Sequence, residues 1–117
     1  MKGKKQIGEP TFDRHGYPTD WTLRTIEKWD MHRQDSRESW LGFCHSAFNE
    51  TYGSWEQKNT RDSTALHVST GGWSGNESVI YAMQTTLHWA IGWQSSVRGG
   101  HYELRWNHPK EDNAKHA

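Results

Sequence analysis

The sequence predicts a single α+β domain in the order ααβαββ, with a three-stranded sheet that ends in a Gly-Gly hairpin. Three observations carry that expectation. Two segments in the N-terminal half repeat apolar residues at helical spacing. A short β-branched run, "TALHVST", stands between a polar stretch and a pair of glycines. The C-terminal part holds two alternating runs, "LHWAIGWQSSV" and "HYELRW", on either side of Gly99-Gly100.

At 117 residues the chain is long enough for one core. Residues 1–11 are polar and basic and read as a flexible lead, residues 12–106 as the domain, and residues 107–117, "NHPKEDNAKHA", as a flexible polar tail. "PTDWTLRTIEKWD" predicts the first helix, capped by Thr19 or Asp20, with Leu23, Ile26 and Trp29 inward. "DSRESWLGFCHSAFNETYGSW" predicts the second. Asp35 and Glu38 mark its start, Gly53 its end, and Trp40, Leu41, Cys44, Ala47, Phe48, Tyr52 and Trp55 one broad face. "EQKNTRDS" follows as a loop, then "TALHVST" as the first strand. "GNESVIYAMQT" predicts a third helix with Val79, Ile80 and Met83 inward. The strand–helix–strand order of this middle region is compatible with a parallel crossover.

The last two strands fix a register by parity. A two-residue Gly99-Gly100 turn pairs Trp93 with Trp106, Ser95 with Leu104 and Val97 with Tyr102. One face then carries Leu87, Trp89, Ile91 and Trp93 against Tyr102, Leu104 and Trp106. The other carries Gln94 opposite Arg105, Ser96 opposite Glu103 and Arg98 opposite His101.

Lys and Arg together number 14, as do Asp and Glu. This balance argues against a broad electrostatic grip on nucleic acid, which stays a weakly supported partner, or on an anionic membrane. One cysteine excludes an intrachain disulfide. The start, "MKGKKQIGEP", lacks an apolar leader and no span reaches bilayer length, so a cytoplasmic protein is expected. Leu, Ile, Val and Phe total only 15, against eight Trp. Tryptophan must therefore supply much of the core, or wait for a second copy of the chain or a host protein.

The chemistry concentrates in "STGGWSGNE" and "SVRGGHY". Ser74 and Glu77 have capping-box spacing, and neither a Walker A motif nor a dinucleotide fingerprint is present. Trp73 then remains as either a packed ring or a stacking surface. Arg98 offers a fork for phosphate, and His101 lies beside it. If the two loops meet, Thr70, Gly71, Gly72, Trp73, Ser74, Arg98, Gly99, Gly100 and His101 form one ligand-binding site. This reading needs no catalytic residue, cofactor or metal; H-E-x-x-H and C-x-x-C are both missing from the sequence. In an alternative, if the first strand lies beside the hairpin, His67 shares the polar face with Arg98, His101 and Glu103, and two imidazoles with an arginine cleave a phosphodiester.

The runs "LHVSTGGWSGNESVI" and "GWQSSVRGGHYEL" resemble a family of small uncharacterised proteins of phages and prophages. The resemblance spans residues 19–106 and is most specific at 69–77 and 98–102. It implies a viral origin, in the cytoplasm of an infected bacterium, and no mechanism. By analogy with small phage proteins that counter host defence, the leading expectation is a non-enzymatic protein that sequesters a nucleotide-like anion. The alternatives are an inhibitor that binds a host protein, and a metal-independent phosphodiesterase or ribonuclease using His67 and His101.

Overall fold

The computed structural model describes residues 8–32 and 35–108. In chain order these form α1 (Asp20–Glu27), α2 (Ser36–Ala47), β1 (Ser54–Asn59), β2 (Ser63–Ser69), α3 (Ser74–Gln84), α4 (Leu87–Gly92), β3 (Trp93–Val97) and β4 (His101–Asn107). The class is α+β, but the sheet has four strands rather than three, in the order β1-β2-β4-β3. Every neighbouring pair is antiparallel, so the parallel crossover expected in the middle of the chain does not occur.

The predicted cap of α1 is present: the Thr19 hydroxyl accepts a hydrogen bond from the Thr22 amide at 3.3 Å. Buried Thr22 in turn donates to the Thr11 carbonyl and accepts from its amide, tying the entering chain to the helix. At the other terminus, Asn107 belongs to β4, and the His108 ring lies 2.9 Å from the Thr64 hydroxyl.

Helix α2 stops at Ala47, six residues before Gly53. Phe48 turns extended, and the Asn49 side chain accepts from the Thr51 amide at 2.9 Å, which favours a turn over another helical turn. Tyr52 therefore lies in the turn and Trp55 in β1, the strand that sequence reading takes for a loop. The strand escapes pattern reading because only Trp55 is buried in "SWEQKN". An edge strand with one anchor has no alternation to detect.

The second correction is α4. Leu87, Trp89, Ile91 and Trp93 alternate like a strand, yet only Trp89 is buried. Thr86 caps a short helix by accepting from the Trp89 amide at 3.2 Å. Helical spacing then buries His88 and Trp89 and turns Leu87 and Ile91 outward. Gly92 is required where this helix ends, because a Cβ there would collide with the Trp106 indole.

Tryptophan fills the gap left by the scarce aliphatic residues. Trp29, Trp40, Trp55, Trp89 and Trp106 are buried, and Trp40 meets Trp106 edge-on at 6.3 Å. Each indole removes roughly 200 Å² from water, about 5 kcal/mol of gross hydrophobic stabilisation at about 25 cal/mol/Å². The Trp106 N–H donates to the His88 carbonyl at 2.8 Å, satisfying its polar edge inside the core.

The hairpin register also departs from the parity prediction. Val97 pairs with His101, Ser96 with Tyr102 and Ser95 with Glu103, across a turn at Arg98, Gly99 and Gly100. Trp93 reaches Leu104, rather than Trp106, through an irregularity at Gln94. Parity fails because β3 has no fully buried side chain to enforce it. Tertiary contact dominates instead: the Gly100 carbonyl accepts from the Thr70 amide at 3.0 Å, and a Cβ on Gly100 would strike the Thr70 hydroxyl.

Candidate functional site

That Thr70–Gly100 hydrogen bond brings the two glycine-rich loops together, as the predicted single site requires. Gly71 and Gly72 adopt φ of 69° and 76°, and Gly99 and Gly100 of 97° and 85°, all in the region glycine tolerates best. Two of these glycines also serve close approach. A Cβ on Gly71 would overlap the Tyr52 carbonyl, just as one on Gly100 would overlap Thr70. The paired glycines thus have a packing reason independent of any ligand.

The other residues of the junction divide by exposure. Thr70 is fully buried, and its hydroxyl accepts from the Gly72 amide at 3.2 Å. Trp73 is half-buried against Tyr17 and Tyr52, at centroid distances of 4.9 and 4.8 Å, and leans over Gly75, where a Cβ would meet its ring. It does not project as an isolated stacking surface. Trp73 is also the residue that caps α3: its carbonyl accepts from the Glu77 amide at 3.0 Å. The Ser74–Glu77 capping box is therefore absent, and Ser74 points instead to the Tyr17 hydroxyl at 3.3 Å. Ser74, Arg98, Gly99 and His101 are exposed.

One buried residue, missed in the sequence, holds this junction. The Asn76 side chain accepts from the Asn49 amide at 2.8 Å and donates to the carbonyls of Asn49 (3.0 Å) and Thr70 (3.2 Å). It clamps the turn before β1 to the loop after β2. Its place in a helix-start motif offers no signal of this, because the partners lie up to 27 residues away.

The register of β1, β2 and β4 assembles a second group on the face of the sheet away from the core. His67 lies opposite Glu56 on β1 and opposite Glu103 on β4, at the roughly 5 Å spacing of cross-strand neighbours. The next row holds Lys58, Ala65 and Arg105; the preceding row holds Ser54, Ser69 and His101. The conditional expectation that His67 would share a face with Glu103 and His101 is met, whereas Arg98 stays in the turn. A depression of about 410 Å³ opens here, lined by Glu56, Lys58, His67, Gln94, Glu103 and Arg105 among others. Ala65 keeps its row low between two long side chains.

Of these groups, Glu103 accepts from the Ser95 hydroxyl at 3.2 Å and Arg105 donates to Ser63 at 3.3 Å. Among the described residues no ion pair involves Glu56, Lys58, His67, Glu103 or Arg105. Five ionisable side chains of both signs therefore face one open depression without neutralising one another through direct contact. Sequence reading finds His67, Glu103, Gln94 and Arg105 but misses Glu56 and Lys58, because it takes their strand for a loop.

Cys44 is no part of this chemistry. It is fully buried in α2, and burial raises its thiol well above the ordinary range, which disfavours the thiolate. Among the described residues no three His, Cys, Asp or Glu side chains converge as metal ligands, and no helix is long and apolar enough to cross a membrane. The chain matches no protein-family model, no curated protein and no solved structure, so its similarities to known proteins add nothing to the chemistry of this face.

Proposed function

We propose that the open face of the sheet, continuing to the junction of the two glycine loops, binds a nucleotide-like anionic ligand. The observation that carries this reading is the mixed-charge depression centred on His67. A nucleotide offers phosphate oxygens that only accept hydrogen bonds and ribose hydroxyls that can donate them. Lys58, Arg105 and His67 match the first, with Arg98 and His101 at the hairpin end. Glu56 and Glu103 match the second, since ionised carboxylates are acceptors. The chain's zero net charge agrees with local rather than field-driven recognition. In the biological setting that the phage resemblance suggests, such a protein withholds a nucleotide signal from host defence.

A second reading is favoured by the placement of the two imidazoles. His67 and His101 are diagonal neighbours on β2 and β4, about 7–8 Å apart at their Cα atoms, a span that brackets one phosphodiester. One imidazole would take the proton of a ribose 2′-hydroxyl as its oxygen forms a bond to phosphorus. The other would give a proton to the departing 5′-oxygen as the old phosphorus–oxygen bond breaks, with Arg105 facing the phosphoryl oxygens.

Equilibrating the purified chain with a panel of linear and cyclic nucleotides and short RNA separates the readings. An intact species released on denaturation supports sequestration. A 2′,3′-cyclic phosphate product, lost in His67→Ala and His101→Ala, supports cleavage. A folded protein that retains nothing and alters nothing refutes both.

A further inference from the structure

We propose that two copies of this chain associate through the exposed edge of β3, related by a two-fold axis perpendicular to the sheet. The first observation is compositional. The protein is 24% charged, yet the twenty residues from Ser78 to Val97 contain no Asp, Glu, Lys or Arg. A buried stretch would explain that, but this one is substantially exposed. Leu87 is 59% exposed, Ile91 58%, Trp93 49% and Val97 62%. Depletion of charge with retention of large apolar side chains distinguishes an interface core from ordinary surface.

The second observation is topological. In the order β1-β2-β4-β3, the strands β1 and β3 are the two edges. Edge strands invite pairing with another chain, and charged side chains on the edge are a common protection. β1 has that protection in Glu56 and Lys58, whereas β3, "WQSSV", has no charged residue. The Gln94 irregularity twists its start but leaves the edge uncharged.

A second copy fits this edge better than an unrelated partner because the surface complements itself. A perpendicular two-fold axis places two β3 strands antiparallel, extends the sheet to eight strands and keeps both helix layers on the same side. Leu87 and Ile91 are exposed one turn apart on α4, which leads directly into Trp93 and β3, so the proposed seam would take them in. The exposed parts of these side chains amount to roughly 400 Å² per copy, within the roughly 300–600 Å² of the largest apolar patch on a typical monomer, a size that often marks a contact surface. With the five-residue strand edge, they approach the roughly 800 Å² per partner of a stable interface. The open face that carries His67 stays uncovered, and Gln94 lies both on this edge and in the lining of the depression, whereas Ile91 and Val97 lie outside it.

Sedimentation equilibrium of the full chain tests the proposal. The wild type is expected at twice 13.7 kDa at about 100 µM. Ile91→Glu and Gln94→Lys should each raise the dissociation constant by about tenfold or more, with far-UV circular dichroism unchanged. Val97→Lys provides the same reading should the helical variant fail to fold. A wild-type monomer at that concentration, or a dimer undiminished by the folded variants, overturns the proposal.

Discussion

His88 makes this fold acid-sensitive in a calculable way. Its ring is buried beside Trp40, with Nε2 at 2.9 Å from the Ser36 hydroxyl. That hydroxyl already donates to the Asp30 carbonyl, so Nε2 must carry the proton and donate. Nδ1 is then a bare acceptor, buried without a partner. Protonating it would create a buried cation with no acceptor, near Arg37. Burial and the Arg37 charge together lower the His88 pKa from 6.5 to about 4.

The sign follows from proton counting. Above pH 6.5 the ring is neutral in both folded and unfolded chains, and the full stability is present. As the pH falls from 6.5 towards 4, the unfolded chain takes up a proton that the folded chain refuses, and stability declines. Between pH 7.5 and pH 4.5 the loss from this residue is on the order of 2–3 kcal/mol. His88→Gln removes the titration while retaining a donor for Ser36. Urea denaturation of both proteins at the two pH values isolates the contribution. The variant's acid loss should be smaller than the wild type's by roughly 2–3 kcal/mol. Equal losses would mean that His88 accepts a proton in the fold and that the burial argument is wrong.

Other consequences are equally direct. Asn76→Ala removes three hydrogen bonds to the backbone and leaves the Asn49 amide without its partner, while the Asn49 and Thr70 carbonyls keep the Tyr52 and Trp73 amides; it should cost about 2–4 kcal/mol in chemical denaturation, and a loss below about 1 kcal/mol would show that the clamp is dispensable. Gly71→Ala places a Cβ on the Tyr52 carbonyl at a φ of 69°, and should destabilise the chain by more than the roughly 1 kcal/mol that positive φ alone costs. A thermal midpoint within 1–2 °C of wild type, on the order of a few tenths of a kcal/mol, would contradict that placement. Arg105→Gln should weaken nucleotide binding about tenfold or more while leaving stability nearly unchanged, since only a 3.3 Å contact to Ser63 is lost.

The sequence reveals the elements whose buried faces are continuous. Val79, Ile80 and Met83 of α3 are fully buried as helical spacing predicts, and Leu104 and Trp106 alternate inward along β4. It misleads where a short segment satisfies two periods. Leu87, Trp89, Ile91 and Trp93 fit a strand, but the Thr86 cap and the tight approach of Trp106 to Gly92 produce a helix. It is silent where one buried anchor suffices, as with Trp55 in β1. That silence hides Glu56 and Lys58, because a carboxylate and an ammonium in a supposed loop have no neighbours to suggest a site. His67 and Glu103 are recognisable as candidates, but their pairing depends on β2 lying beside β4, a long-range choice that no local pattern encodes.

The central claim is that the depression around His67 is the ligand site. Its most direct test is an amide-resolved NMR titration of the full chain with the nucleotide that the panel identifies. Shifts should concentrate at Glu56, His67, Glu103 and Arg105 on the open face and extend to His101 and Arg98 at the hairpin. Shifts confined to the helix layer or to the β3 edge, with these residues unmoved, would contradict it.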